Sequence, residues 1–320
     1  FDGLALEPEP CEEADVQVML DLLRHLCSLT AAPGTTVDDV MVELVDGVTR
    51  NRQGLLGQVA DLSQGAVCVE FNDLAGVEAA LAKGDVAAIL TEPVMTNSCM
   101  VLPVAGFHDG LRTLSRRYGA LLIIDETHTF SAGYGGMTKR DGLEPDLFVI
   151  GKAIAGGIPT GTYGLSESFA AKVLERTDLD LVDMGGVGGT LAGNPLQVAA
   201  MRATLEHVLT EDAFEKMIDL CTYFTDGVNA LFEKYDLPWA INQLGARAEY
   251  RFAKPYPITG TAAYESADAE LEDFLHLYLA NRGVLLTPFH NMALMCPTTT
   301  KADVDRHQQV FEEAISALVG

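Results

Sequence analysis

The stretch from Leu121 to Gly164 reads LLIIDETHTFSAGYGGMTKRDGLEPDLFVIGKAIAGGIPTGTYG. It contains two short apolar runs, residues 121–124 and 147–150, which end at Asp125 and at Gly151-Lys152. Continuous apolar runs of this length between turn signals are typical of strands buried on both faces of a parallel sheet. Ligands of such sheets bind beyond the carboxyl ends of the strands. The pattern therefore predicts that the aspartate and the lysine lie at one edge, where a site would form.

An aspartate and a lysine at a buried edge allow two interpretations. The simpler one is a structural ion pair. The segment after Lys152 is Ala-Ile-Ala-Gly-Gly-Ile-Pro, however, and its small residues leave room for a planar ligand. A desolvated lysine has a lowered pKa and can form a Schiff base, while a carboxylate facing a pyridine nitrogen keeps that nitrogen protonated. These are the two groups that pyridoxal 5'-phosphate (PLP) needs from a protein, so this context favours a PLP site.

Three motifs occur in order: Asp125-Glu126, Gly151-Lys152 with residues 155–159 (Ala-Gly-Gly-Ile-Pro), and residues 189–195 (Gly-Thr-Leu-Ala-Gly-Asn-Pro). At this spacing they resemble the class III (fold type I) PLP-dependent aminotransferases, close to the glutamate-1-semialdehyde 2,1-aminomutase-like branch. The resemblance extends over residues 36–320. It implies an α/β fold of the PLP-transferase type, with a mostly parallel sheet in a large domain and a smaller C-terminal α+β domain.

The resemblance also implies roles for individual residues. Lys152 would be catalytic and form the Schiff base with PLP, and Asp125 would pair with the pyridine nitrogen. Thr127 stands where the family usually places a valine that packs on the ring, and His128 replaces a residue, often Gln or Met, near the ring oxygen. Thr190 would bind the phosphate of the neighbouring subunit's cofactor, which implies a homodimer with a shared active site. The alternative role of Thr190 is a helix N-cap.

Four further residues are candidates for the site. Glu92 follows the apolar run 86–90 in an element that resembles the family's Glu-Pro motif, and it would support the cofactor or simply cap the strand end. Asn97 would line the substrate site. His290 and Asn291 are expected to approach the substrate, although a lone loop histidine more often has no functional role.

Proline and glycine breaks divide the chain into three parts. Residues 1–34 form an N-terminal segment of unclear role, and residues 35–235 are expected to form the large PLP-binding domain. The phosphate-binding loop and the ring-stacking aromatic that the family carries near its N-terminus are not found there, so either the chain is shortened or residues are missing from it. Residues 236–320 are expected to form the small domain, with strands over 241–252 and 284–287.

The net charge argues against some classes of binding partner, and the cysteine pattern indicates the cellular compartment. The net charge of −25 argues against nucleic acid and disfavours anionic membranes, because both partners require a basic face. Six cysteines without a C-x-x-C pair indicate reduced thiols of a cytoplasmic protein, and seven histidines show no metal-ligand spacing. We find no signal peptide and no apolar run long enough to span a bilayer. The resemblance implies small-molecule partners, an amino donor and a carbonyl acceptor.

The motifs support one principal function and two alternatives. The principal hypothesis is an aminotransferase that moves an amino group between an amino acid or amine and a carbonyl compound through the Lys152 Schiff base. An aminomutase would use the same groups, so these motifs do not separate the two activities or identify the substrate. The third hypothesis is a non-catalytic relative with an incomplete cofactor pocket, which the retained Asp125, Lys152 and Thr190 oppose.

Overall fold

The structure is a computed structural model and describes residues 40–44, 66–97, 99–175, 191–287 and 290–320. The N-terminal segment 1–34 and Thr190 lie outside the described residues. The described residues form two sheets with helices packed on them. The sheets are presented first, because their edges position the candidate site.

The larger sheet has the order β2-β1-β3-β4-β5-β6. Its strands are β1 (Val40–Leu44), β2 (Ala66–Cys68), β3 (Val86–Thr91), β4 (Leu121–Asp125), β5 (Leu147–Ile150) and β6 (Thr162–Leu165). Neighbouring strands run parallel, except that β6 runs antiparallel to β5. The mostly parallel sheet expected from the sequence is therefore confirmed.

Strand β4 is buried on both faces of this sheet. Leu122 and Ile124 pack in a cluster with Phe107, whereas Ile123 packs in a second cluster with Phe169. A run of apolar residues without alternation is what a central parallel strand requires, since helices cover both of its faces. The residues of β4 form a strand for this reason, and its first polar side chain is that of Asp125.

The helices connect the strands and form the remaining layers. They are α1 (Leu74–Leu81), α2 (Phe107–Tyr118), α3 (Gly136–Asp141), α4 (Glu167–Leu174), α5 (Pro195–His207), α6 (Glu211–Lys234), α7 (Gly260–Glu265), α8 (Ala269–Ala280) and α9 (Lys301–Val319). Short 3-10 turns follow two strands of the larger sheet, at Thr129–Ala132 and at Lys152–Ala155. No helix in the described part of the chain is long and apolar enough to cross a bilayer.

The smaller sheet is antiparallel, with the order β7 (Ala240–Leu244), β8 (Arg247–Arg251) and β9 (Met292–Leu294). The strand-like stretch expected over 241–252 forms the two strands of a hairpin, because the chain reverses at Gly245, whose φ is +57°. One sequence expectation is wrong here. Residues 284–287 are not a strand, since Val284 instead donates its backbone N–H to Leu279 at the end of α8.

Helices α6, α8 and α9 cover the smaller sheet. Phe224 and Val228 of α6 share one core with Tyr250 of β8 and with Phe311 and Ile315 of α9. Helix α6 thus packs with the C-terminal residues rather than with the larger sheet. The division of the chain into domains at residue 235 stays a prediction.

Candidate active site

Three strand ends meet at one edge of the larger sheet. Strands β3, β4 and β5 are consecutive and parallel, and Asp125 pairs in register with Val149. Glu92 directly follows β3, Asp125 ends β4, and Lys152 comes two residues after β5. The carboxyl ends of parallel strands lie at the same edge, which is where ligands of such sheets bind.

Lys152 has an unusual backbone conformation at the start of its 3-10 turn. Its φ is +52°, which is rare for a residue with a side chain and costs about 1–3 kcal/mol. The buried side chains of Ile154 and Ala155 anchor the turn. The lysine side chain itself is exposed within the described residues, so the expected loss of water around its amine is not observed. Instead of being buried, the amine of Lys152 contacts a histidine side chain.

Lys152 is the first member of a chain of hydrogen bonds. Its Nζ atom contacts Nε2 of His128, and Nδ1 of His128 lies 2.6 Å from Oγ1 of Thr96. That hydroxyl also bonds to Oε2 of Glu92, which lies 3.7 Å from the histidine Nδ1. The structure therefore brings Lys152, His128 and Glu92 together. Sequence reasoning missed Thr96, because a threonine in the Glu-Pro element has no pattern that marks it.

Asp125 is a carboxylate without an ion-pair partner in the described part of the chain. Its Oδ1 accepts a hydrogen bond of 2.8 Å from the backbone of Thr127, and no lysine, arginine or histidine among the described residues forms an ion pair with it. Burial raises the pKa of Asp125, against the opposing effect of the bonds from Thr127, and the charge of Glu92 raises it further. A protonated pyridine nitrogen would supply the missing positive charge. Together with the accessible amine of Lys152, this carboxylate fits PLP.

Glu92 is held in its charged form. Burial acts to raise the pKa of Glu92, but the favourable interaction with His128, the hydrogen bond from Thr96 and the charge of Arg247 outweigh this effect. The pKa of Glu92 consequently lies below its ordinary value, and the carboxylate is ionised at neutral pH. The plainer interpretation, a strand-end cap, does not account for the contact with the histidine.

Glu126 fixes the loop that carries Thr127 and His128. Its buried carboxylate accepts hydrogen bonds from the hydroxyl of Thr129 at 2.6 Å and from the backbone of Met137 at 3.1 Å, at the start of α3. Gly136 lies against this carboxylate at φ +71°, and a Cβ there would meet its oxygens at 2.9 Å. Close packing against Glu126 therefore requires a glycine at position 136.

A buried charged pair on β8 reaches the site from the smaller sheet. Arg247 donates a hydrogen bond of 3.0 Å to the backbone carbonyl of Thr96 and pairs with Glu249 at 3.3 Å. His290 lies 3.3 Å from the other carboxylate oxygen of Glu249. Both members of the pair are at most 3% exposed. Their alternation along the sequence is typical of a solvated strand face, so sequence reasoning did not single out Glu249 for the site.

The remaining substrate candidates, Asn97 and Asn291, form no hydrogen bond with Lys152 in the described part of the chain. Asn97 is exposed beside Thr96. Asn291 is buried and donates a hydrogen bond of 3.2 Å to Glu272. Their assignment to the substrate remains a prediction. On α5, Gln197 donates a hydrogen bond of 2.9 Å to the carbonyl of Pro159 and so ties this helix to the loop after Lys152.

Within the described segments, no group of three or more histidine, cysteine, aspartate or glutamate side chains is placed to hold a metal ion. His108 illustrates a structural role instead, because its Nε2 bonds the carbonyl of Pro93 at 2.8 Å, and burial lowers its pKa. This bond fixes the Glu-Pro element on α2.

Comparisons with known proteins identify the family of this chain. A family model described as aminotransferase class-III matches residues 36–315. Glutamate-1-semialdehyde 2,1-aminomutase 2 of Geobacillus kaustophilus is 34% identical over 272 residues, which are 83% of this chain and 61% of that protein. Glutamate-1-semialdehyde 2,1-aminomutase 1 of Staphylococcus aureus is 31% identical over 289 residues, 88% of this chain and 65% of that protein. The chain thus spans less than two thirds of the length of these relatives.

Comparisons with solved structures lead to the same family. A glutamate-1-semialdehyde-aminomutase from Pseudomonas aeruginosa PAO1 superposes with a TM-score of 0.84 at 41% identity, covering 95% of this chain and 70% of that one. A β-phenylalanine aminotransferase from Variovorax paradoxus shares the fold, with a TM-score of 0.77 at 22% identity over 95% of this chain and 68% of that one. The chain belongs to the class-III aminotransferases, which are PLP-dependent enzymes of fold type I.

Proposed function

We propose that this protein is an aminotransferase that moves an amino group between an amino acid or amine and a carbonyl compound. The observation that carries the proposal is the placement of Lys152 and Asp125 at the ends of adjacent parallel strands. When bound there, PLP would supply an electron sink that stabilises negative charge on a substrate carbon. Asp125 would keep the pyridine nitrogen protonated, and Thr127 and His128 would flank the ring.

The chain's own groups would perform the proton transfers. The amine of Lys152 would hold the cofactor covalently and, once released, its Nζ would take up and return the proton of the substrate carbon. Glu92 would act through His128, with which it forms the contacts described above. The exposed side chain of Asn97 would face the substrate, and His290 and Asn291 would approach from the smaller sheet.

An aminomutase is the second candidate, and the names of the relatives favour it. The proteins from Geobacillus kaustophilus and Staphylococcus aureus are both glutamate-1-semialdehyde 2,1-aminomutases. An amine shift within one molecule uses the same lysine and aspartate, so the site alone supports both activities. Incubating the loaded enzyme with one amino compound separates them. An aminotransferase should release about one carbonyl product per site and stop, whereas an aminomutase should convert the compound to its isomer over many turnovers.

We also propose a homodimer in which α5 lies at the subunit boundary. Leu196, Val198 and Leu205 of this helix and the flanking Leu191 and Val208 are exposed in the single chain. A row of exposed apolar residues of this kind is typical of a protein–protein contact. The free thiols of Cys99, Cys221 and Cys296 support the cytoplasmic location that the sequence predicts.

The experiment that tests the proposal is reduction of the PLP-loaded protein with borohydride, followed by tryptic mapping. The expected result is a pyridoxyl group on Lys152. Lys152→Ala should lose this adduct, while the control Lys172→Ala, which changes an exposed lysine on α4, should keep it. An adduct on any other lysine would overturn the assignment.

A further inference from the structure

The hydrogen bonds around His128 have directions that side-chain chemistry fixes. The ionised carboxylate of Glu92 only accepts, so the hydroxyl of Thr96 must donate its proton to it. The same Oγ1 therefore accepts from Nδ1 of His128 at 2.6 Å. A neutral imidazole with its proton on Nδ1 carries a lone pair on Nε2. That lone pair meets Nζ of Lys152, whose ammonium form only donates.

We propose that His128 is a catalytic base for Lys152: its Nε2 accepts the proton that the ammonium group must lose before the amine attacks a carbonyl carbon. Thr96 and Glu92 are positioning residues, because they fix the imidazole tautomer that leaves Nε2 free to accept. The inference rests on the proposed function, in which Lys152 forms a covalent bond with the aldehyde of PLP. It adds a second group to the acid–base chemistry of this site.

The proton balance is simple. One N–H bond of Lys152 breaks and one forms at Nε2 of His128, so the pair keeps a single positive charge. The free amine then forms a C=N double bond with the carbonyl carbon in place of the C=O bond, and its two remaining N–H protons leave with the carbonyl oxygen as water. No electrons are gained or lost, and no further reactant is needed.

The charges that face His128 suit this transfer. Glu92, 3.7 Å from Nδ1, stabilises the imidazolium that results, much as the carboxylate of a catalytic triad does. Asp125 adds a second negative charge on the side of β4, and its own pKa responds to His128. Positive charge comes from Lys152, which loses its proton in the step, and from Arg247, which bonds the far side of Thr96.

The test measures how fast PLP attaches covalently to Lys152 after the cofactor has been removed, by absorbance over a range of pH. His128→Gln keeps a hydrogen-bond acceptor but takes up no proton. Attachment in this variant should be about tenfold to a hundredfold slower near pH 7. The two rates should converge at high pH, where hydroxide removes the proton without help from the imidazole.

Matched variants separate base catalysis from packing. Thr96→Val should slow attachment in the same pH-dependent way, because it breaks the link to Glu92, and Thr96→Ser should restore it. His276→Gln changes a histidine on α8, outside this chain of hydrogen bonds and outside α5, and should leave the rate unchanged. An equal deficit of His128→Gln at every pH, or no deficit at all, would overturn the inference while leaving the proposed function intact. Failure of the unaltered protein to attach PLP at Lys152 would overturn both.

A readout without cofactor completes the test. Nitrogen NMR of histidine-labelled protein, with the resonance of His128 assigned through His128→Gln, should show the proton on Nδ1. In Thr96→Val, the proton of His128 should no longer favour Nδ1 over Nε2. A proton on Nε2 in the unaltered protein would reject the proposed base, whether or not PLP binds.

Discussion

Asp125 and Lys152 differ in how the protein surrounds them. The carboxylate is partly buried, it has no ion-pair partner in the described segments, and burial raises its pKa, whereas the lysine is exposed and contacts His128. A carboxylate in this setting lowers its free energy when a positive charge arrives. The site is thus arranged for a cationic ring rather than for an ion pair between its own two residues.

Asp125→Asn should keep covalent PLP and lose most of its turnover. The amide cannot hold a proton on the pyridine nitrogen, so the ring no longer stabilises negative charge on the substrate carbon. We expect kcat to fall by at least about a hundredfold, since preorganised charge stabilisation of this kind is worth several kcal/mol. Steady-state kinetics with Asp141→Asn, an exposed change in α3, provides the control. Turnover close to that of the unaltered protein would make Asp125 a structural residue.

His307 in α9 predicts a loss of stability in mild acid. Both of its ring nitrogens lack a hydrogen-bond partner among the described residues, Phe224 and Phe311 pack on it, and burial lowers its pKa to about 4. The unfolded chain binds a proton near pH 6.5 and the folded chain only near pH 4, so acid favours unfolding between these values. Between them the free energy of unfolding should fall by about 3 kcal/mol through this residue.

Denaturant unfolding across this pH range checks the prediction. His307→Leu removes the titrating group from an apolar site and should flatten the pH dependence, with its largest stabilisation near pH 4. His276→Gln is the control, because it removes a histidine of α8 and should leave the pH dependence in place. Parallel pH curves for the unaltered protein and His307→Leu would show that His307 does not contribute.

At the residue scale, sequence reasoning located Lys152 and Asp125 because strand ends in a parallel sheet share an edge. It placed His128 near the cofactor but not against the lysine, since that contact depends on how the loop after β4 folds back. Glu126 causes this folding through its hydrogen bonds to Thr129 and α3. No local sequence pattern predicts that one carboxylate accepts hydrogen bonds from both of these elements.

Among the elements, the strands of the larger sheet were the most predictable. The run in β4 is buried on both faces and leaves one interpretation. Strand β8 was harder, because Arg247, Glu249 and Arg251 alternate with apolar residues as on a solvated face, yet all three are buried. Arg247 and Arg251 donate hydrogen bonds to backbone carbonyls of other elements, those of Thr96 and Ala263, which no local sequence pattern identifies.

The β7–β8 hairpin depends on Gly245. A Cβ there would meet the carbonyl oxygen of Ala132 at 2.4 Å, and Ala246 next to it donates a hydrogen bond of 2.9 Å to Ser131. Gly245→Ala should destabilise the protein by about 2 kcal/mol or more, because it adds a backbone clash to the strain of a positive φ. The denaturation midpoint measures this loss.

Gly283→Ala is the matched control for that change. Gly283 has φ +80°, and a Cβ there meets nothing within 4 Å, so this variant carries the strain without the clash. Gly245→Ala should also slow PLP attachment, since the hydroxyl of Ser131 bonds the carbonyl of His128 at 2.9 Å. Equal destabilisation by both variants would mean that the close approach of the hairpin has no energetic weight.

For the whole molecule, the exposed face of α5 predicts the oligomeric state. Light scattering should give twice the mass of one chain. Leu196→Glu should shift the protein toward monomers and weaken PLP retention, because a buried charge without a partner is costly. Leu318→Glu, at an exposed position near the end of α9, should leave the dimer intact. A monomer that holds PLP tightly would contradict the shared site.

The antiparallel return from β5 to β6 limits how this enzyme can be redesigned. Ile150 and Thr162 are paired in register, so residues 151–161 bridge a fixed span with Lys152 at its beginning. An insertion or deletion here would slip the register and turn the side chains of β6 to the opposite face. Directed evolution of the lysine's surroundings therefore has freedom in side-chain identity along this return but none in its length.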